Sequence, residues 1–366
     1  MHIIGPAVLG LAFVICLMIM PLAKRLATAV GMVDVPGERK IHTEPTPYGG
    51  GIAVLLACVL TVGIGLGGVW AVETHAAGWL PDSVRRMIEE HAEGALGRSK
   101  MLVAIFAGGL MVAALGLADD IKSISYRVKF GVEILAALIL VLSGVKLTIF
   151  IANEAISIAV TVVWVVAITN AFNLLDNMDG LSAGVAIIAG ALLLAVAMQT
   201  HQIFVASLAL ALMGALLAFL IFNFPPASVF MGDTGSLFVG FMMASLTTVA
   251  SYYQYHEGRG AFSVVMPVLI LGVPIYDTAS VMIIRLRNGT PLFQGDTNHF
   301  SHRLVALGMT RRQAVLTIYL TSLAIGLAAI LLPALPLWGA VVVGIQAATI
   351  VAVIVLLEIA GRKKVA

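Results

Sequence analysis

The sequence predicts an all-α, polytopic integral membrane bundle of about eleven transmembrane helices. Three observations carry that prediction. Of 366 residues, 60% are hydrophobic and only 11% charged, against about 25% charged in an average soluble protein. The mean hydropathy is +1.05. The apolar residues also fall in Leu-, Ala- and Val-rich runs of the ~20-residue length that crosses a bilayer as a helix. A closed barrel, the other spanning solution, would show short alternating segments instead. Too little charge is present to cover a soluble surface, so a soluble enzyme, a disordered chain and a nucleic-acid-binding domain are excluded.

The runs lie at 3–22, 50–70, 101–118, 129–150, 155–171, 181–200, 203–222, 235–252, 261–284, 313–333 and 337–359. No base precedes the first, and Lys24 and Arg25 follow it. A secretory signal has the opposite order, so this run reads as a retained span with its N-terminus outside. Residues 71–100 form a long extracytoplasmic loop. Within it Asp82 can cap an amphipathic helix that puts Val84, Met87, Ile88, His91 and Ala95 on one face, against the membrane surface. The ninth run contains Asp277 close to Pro274. An intramembrane acid is a functional candidate by default; its alternative is to cap a break at the proline. Residues 285–312 form a histidine-containing loop before the last two runs. Cys16 and Cys58 both lie in apolar runs, which excludes a disulfide scaffold. With no repeat and no linker, residues 1–366 read as a single membrane-embedded domain.

Charge supplies the orientation. With eleven spans, the loops after odd-numbered spans share a side with the C-terminus, and that side collects 15 of the 21 Lys and Arg residues. By the positive-inside rule it is cytoplasmic. The same loops carry the acids: Asp119 and Asp120 in GLADDIKS; Asn173, Asp176 and Asp179 in NAFNLLDNMDGLSAG; Asn223 and Asp233 in FNFPPASVFMGDTGS; and Asp296, His299, His302 and Arg303 in GDTNHFSHRL.

Each acid has an ordinary explanation. An Asp ahead of a helix is commonly an N-cap, which covers Asp179 and Asp233 taken singly, and lone histidines are commonly surface residues. Asp119 and Asp120 fit less well. They end a helix where the dipole is already negative, and adjacent carboxylates repel. A cation relieves both problems, whether a metal ion or Lys122, Arg127 and Lys129. Oxygen-only donors suit Mg²⁺ rather than zinc. Gly180-Leu181-Ser182 and Gly232-Asp233-Thr234-Gly235-Ser236 open helices at the same face, and small residues at a helix N-terminus suit phosphate. Neither is a Walker A motif, which disfavours ordinary ATP hydrolysis. Carboxylates, helix N-termini and a basic rim at a membrane edge point to phosphoryl chemistry, in which the protein positions groups and neutralises charge. One substrate is expected to be a lipid phosphate.

From about Gly31 to Gly308 the chain resembles the polyprenyl-phosphate N-acetylhexosamine-1-phosphate transferases, glycosyltransferase family 4. The blocks RKIHTEPTPYGG, GLADD, NLLDNMDGLSAG, FNFPPASVFMGDTGS and LGVPIYDT match in order, and NLLDNMDGLSAG and VFMGDTGS are the specific ones. The resemblance implies a helical bundle of ten or eleven spans in the bacterial inner membrane, with a cytoplasmic active site and often a homodimer. It implies that undecaprenyl phosphate attacks the β-phosphate of a UDP-N-acetylhexosamine, taking the sugar-1-phosphate and releasing UMP, with Mg²⁺ (or Mn²⁺) as cofactor. Asp119 and Asp120 match paired aspartates that position or deprotonate the lipid phosphate, with Asp120 also a metal residue by the same resemblance. Asp233 matches a metal ligand, Asp176 and Asp179 the acids near nucleotide and metal, Phe230 a uracil-stacking phenylalanine, and Asn173 and Asn223 substrate-side asparagines. Lys40 lies in the basic block near the nucleotide.

Two departures stand out. No third acid follows the Asp pair, and Ser301 replaces the middle histidine of the family's His-x-His-His, leaving His299, His302 and Arg303 as the candidates for a diphosphate. The loop is closer to the WecA/TagO branch than to MraY, which favours UDP-N-acetylglucosamine over a UDP-muramyl-pentapeptide. An ion-coupled transporter is the rival from another class. Its acids belong near the midplane, where only Glu133 and Asp277 lie.

Overall fold

The computed structural model describes residues 4–34, 45–76, 78, 80–147, 153–256, 260–292 and 296–365. The order is α1 (Ile4–Ala29), β1 (Val33–Asp34), β2 (Thr46–Pro47), α2 (Gly50–Glu73), α3 (Asp82–Leu96), α4 (Ser99–Ile121), α5 (Tyr126–Leu142), α6 (Glu154–Leu175), α7 (Leu181–Gln199) and α8 (Ile203–Asn223). There follow α9 (Gly232–His256), α10 (Gly260–Ile270), α11 (Gly272–Asn288), α12 (Phe300–Ala306), α13 (Arg311–Leu331), a 3₁₀ turn at Leu332–Ala334 and α14 (Leu337–Val365). The sole sheet among the described residues is the two-residue antiparallel pair β1–β2, with Val33 opposite Pro47.

Every apolar run of the sequence contains helix among the described residues. Among the described residues, nine helices are long and apolar enough to cross a membrane. The other two runs differ for local reasons. The run at 129–150 stops at Leu142, because Ser143 turns its N–H back onto Ile139 and Leu140 and Gly144 takes a φ of +96° that ends the helix. The run at 261–284 is two helices. Pro267 and Pro274 remove backbone donors on either side of Leu271, and α10 gives way to α11 there. In the loop between α2 and α4, Asp82 stands in the first turn of α3 rather than ahead of it. Its carboxylate accepts from Arg85 at 2.8 Å. Val84, Ile88 and His91 of that helix are half-buried against the bundle.

The most buried span is also the least apolar. α9 is wholly enclosed over Gly232–Ser251 and is the least apolar of the nine spans, whereas α14 is apolar and mostly exposed. Lipid, not water, surrounds this bundle, so polar groups belong at the centre. Three of the α9 hydroxyls turn back onto their own helix: Thr247 bonds Met243 O at 2.8 Å, Thr248 bonds Ala244 O at 2.7 Å, and Ser251 bonds Thr247 O at 2.8 Å. Met18, Trp70, Leu320 and Leu356 are large apolar side chains turned outward.

Helix association without a hydrophobic driving force relies on close backbone contact, and α9 has it on two sides. A Cβ on Gly116 of α4 would lie 2.3 Å from the Asp233 carbonyl oxygen, and one on Gly51 of α2 would lie 2.3 Å from the Gly235 nitrogen. The otherwise unpaired N–H groups of Gly50 and Gly51, at the start of α2, donate to the carbonyls of Phe230 and Met231 at 3.0 Å. This pins the segment that leads into α9.

Gly51→Ala is expected to destabilise the protein by about 1–3 kcal/mol, the usual cost of overpacking. Gly63→Ala, on the same helix with open space around it, should not. Thermal midpoints in detergent check this, and equal midpoints for the two variants would remove the close α2–α9 contact as a determinant.

Candidate active site

A cavity of about 1520 Å³ opens where α4, α6 and α8 end and α2, α7 and α9 begin. Five of its wall residues are the aspartates from three of the sequence motifs: Asp119, Asp120, Asp176, Asp179 and Asp233. Asn173, Asn223, Phe230 and His302 also line it. Lys40 lies outside the described residues.

Asp120 is bound to the start of α9. One oxygen accepts from Asp233 N at 2.8 Å, and the other from Thr234 N at 3.0 Å and Thr234 Oγ1 at 2.7 Å. Unpaired N–H groups and the positive dipole end of α9 thus meet the carboxylate at the negative end of α4. Gly232 makes this fit possible. Its φ is +70°, and a Cβ there would sit 2.7 Å from Asp120 Oδ2.

Lys129 of α5 joins the other carboxylates. Its Nζ donates to Asp119 Oδ2 and Asp233 Oδ2, both at 2.7 Å. Asp119 also accepts from Ile124 N at 2.6 Å. Asp233 Oδ1 accepts from Asn173 Nδ2 at 2.9 Å, and that amide also bonds Ser236 Oγ. The basic neighbour expected from the sequence is therefore Lys129, tying α4, α5 and α9 together.

The remaining pair behaves differently. Asp179 does not cap α7; its Oδ2 accepts from Ala227 N at 3.0 Å. Asn223 is buried and locks the same two loops, accepting from Gly180 N and donating to Val229 O, each at 2.9 Å. Asp176 alone of the five takes no hydrogen bond on its carboxyl from a described residue. Removal from water, then the negative charges of Asp233, Asp120 and Asp179, push its pKa up to about 8.

The histidine loop is divided. His302 lines the cavity, and its pKa is held below the ordinary histidine value by burial and by His299. His299 and Arg303 turn inward. His299 Nδ1 pairs with Asp277 Oδ2 at 2.9 Å, and Asp277 Oδ1 accepts from Phe300 N at 2.6 Å. Asp277 thus anchors the start of α12 rather than capping the α10–α11 break. Arg303 is spent on Glu358 (3.0 Å), Ser280 (2.9 Å) and the Asn298 carbonyl. Ser301, at the departure from the family motif, donates to Asn177 Oδ1 at 2.5 Å and fastens this loop to the one carrying Asp176.

Lys24, Asp34, Tyr48 and Arg311 line the wall without a site role in the sequence reading, and Asp296, noted there only among the loop acids, lines it too. Burial raises Asp296, but Arg285 at 2.8 Å and two N–H groups of Asn298 outweigh it and hold its pKa below the carboxylate range.

Residues 102–251 match the family profile for glycosyl transferase family 4. A probable undecaprenyl-phosphate N-acetylglucosaminyl 1-phosphate transferase of Bacillus subtilis is 34% identical over 330 residues, covering 88% of this chain and 83% of the relative. The chain belongs to glycosyl transferase family 4. Two further relatives of this transferase are more distant. A decaprenyl-phosphate N-acetylglucosaminephosphotransferase of Mycobacterium tuberculosis is 31% identical over 81% of this chain and 74% of its own length. An undecaprenyl-phosphate alpha-N-acetylglucosaminyl 1-phosphate transferase of Escherichia coli is 27% identical over 82% and 76%.

The Asp176 environment sets a pH dependence. The folded protein keeps this proton up to about pH 8, whereas the unfolded chain releases it near the ordinary value of 3.8. Folded stability therefore falls as pH rises through that window. In detergent with EDTA and no substrate, the thermal midpoint of the wild type should drop more between pH 5 and pH 8 than that of Asp176→Asn. Parallel slopes would contradict the reading.

Proposed function

We propose that this protein transfers N-acetylglucosamine-1-phosphate from UDP-N-acetylglucosamine to undecaprenyl phosphate, releasing UMP and starting cell-envelope glycan synthesis. One observation carries the reading: five aspartates from three separate segments converge on one large cavity at one end of a membrane bundle. The names of the relatives supply the substrates. The excess of bases among the loops of that end supports a multi-pass protein of the bacterial inner membrane with its cavity facing the cytoplasm.

Magnesium suits the donor set. Among the described residues no three of His, Cys, Asp and Glu close on a point, but Mg²⁺ commonly takes only one or two carboxylates and completes its shell with water and substrate phosphate. Asp176, whose carboxyl takes no hydrogen bond from a described residue, and Asp233 would hold it. Bound there, the ion would neutralise charge on the diphosphate as the leaving UMP departs.

The chain's own groups do the positioning. Asp120 fixes the start of α9 and so the direction of Asp233. Lys129 offsets Asp119 and Asp233, which lowers the repulsion that an incoming lipid phosphate meets. A phosphate is already ionised enough to attack, so Asp119 acts by orienting it through Lys129 rather than as a strong base. Phe230 and Tyr48, with ring centroids 6.1 Å apart, offer an aromatic wall for uracil. His302 and Arg311 face the diphosphate.

Purified protein with undecaprenyl phosphate should release UMP from UDP-N-acetylglucosamine and lose that activity in EDTA. UDP-muramyl-pentapeptide should be a poor donor. Asp233→Asn should stay folded in the membrane and lose about 10²–10⁴-fold in kcat, the range for a group that acts on the reacting centre. Retained activity in Asp233→Asn would remove it as a metal ligand. Substrate flux into vesicles without UMP would favour a transporter.

A further inference from the structure

A second cavity, of about 360 Å³, lies at the other end of the bundle. It is reached along α4 from Asp119 back to Leu102, about 25 Å at 1.5 Å per residue. Its walls come from α1, α2, α4 and α8, with α3 closing one side. They are chiefly apolar: Val8, Val62, Leu66, Leu102, Phe204 and Leu208. The charged members, Glu90 and Arg98, come from α3 and the turn after it, together with His91. One side of the space is hydrocarbon-like and one edge is charged.

Two hydroxyl residues interrupt the apolar wall, Ser207 of α8 and Thr61 of α2, and Thr61 is the unsatisfied one. Thr61 of α2 is 4% exposed, and its hydroxyl has no hydrogen-bond partner among the described residues. A buried, unpaired hydroxyl costs free energy unless a ligand completes it. Water is a poor occupant of so apolar a space. Beside a membrane protein the abundant apolar filler is an acyl chain, and its ester carbonyl is an acceptor for a hydroxyl.

We propose that this cavity binds one membrane phospholipid with a primary-amine headgroup, in the leaflet opposite the carboxylate cavity. The acyl chain occupies the α1–α2–α8 wall and its ester carbonyl accepts from Thr61. Arg98 and His91 face the phosphate, and Glu90 faces the ammonium. Both charge signs at one edge match a zwitterion. A choline headgroup cannot donate to Glu90, and a glycerol headgroup has no cation to offer it.

The test uses the full-length protein in detergent with equimolar phosphatidylethanolamine, phosphatidylcholine and phosphatidylglycerol, with retained lipid counted by native mass spectrometry. The wild type should retain one phosphatidylethanolamine per chain, about tenfold over the other two. Gly65 lines the cavity, and a Cβ there would meet nothing within 4 Å. Gly65→Phe should therefore fill the space and abolish retention while leaving UMP release unchanged. Glu90→Lys should shift preference to phosphatidylglycerol. Equal retention of all three lipids, or retention that survives Gly65→Phe, overturns the proposal, as does displacement of the lipid by undecaprenyl phosphate. Should Gly65→Phe lose its thermal transition, Thr61→Val and Glu90→Lys carry the test: the first lowers retention of all three lipids and the second reverses the headgroup preference if the proposal holds, and both behave as the wild type if it fails.

Discussion

The carboxylate of Asp120 on the first turn of α9 is the contact around which the cavity is arranged. It joins the end of one membrane helix to the beginning of another. Each end alone carries an unfavourable partial charge or unpaired groups, and together they cancel. The cancellation fixes where Asp233 points, and Asp233 in turn receives Lys129 and Asn173. Four helices are thereby referenced to one point. Gly232 and Gly116 are the conditions for it, since a side chain at either would push the two backbones apart.

A second constraint is the solvent. In water the centre of a bundle is its most apolar region; here the wholly enclosed helix is α9, with its serines and threonines, while the most exposed span, α14, is the most apolar. The polar α9 both stabilises the interior and ends in the cavity, so one helix meets the demands of packing and of the site.

Much of this was legible in the sequence. The apolar runs gave the helices, and the mismatch of two carboxylates with a negative helix end singled out Asp119 and Asp120. What they needed was less legible. Three bases stood nearby, and only tertiary structure selects Lys129, which reaches back across the α4–α5 turn. Asp179 and Asp233 read equally well as N-caps, yet each spends its side chain elsewhere, on Ala227 N and on Lys129. The histidine loop shows the limit most plainly. His299, His302 and Arg303 are adjacent in sequence, but a short helix turns one toward the cavity and two toward Asp277 and Glu358. Spacing alone does not reveal which, because the deciding partners are 22 and 55 residues away. The proline-flanked break between α10 and α11 was signalled by Pro274, whereas the run at 129–150 was read straight through Gly144, where the helix in fact ends.

The low hydropathy of α9 has a consequence for biogenesis. Taken by itself this span is the weakest of the nine candidates for partitioning from the translocon into lipid. Its neighbours α2, α4 and α6 all precede it in the chain, whereas α10 follows. By the time α9 emerges, the helices that cover its hydroxyls, and the carboxylate that receives its first turn, have already been made. The order of the chain thus lets an unusually polar helix enter a membrane against a prepared protein surface rather than against bare lipid.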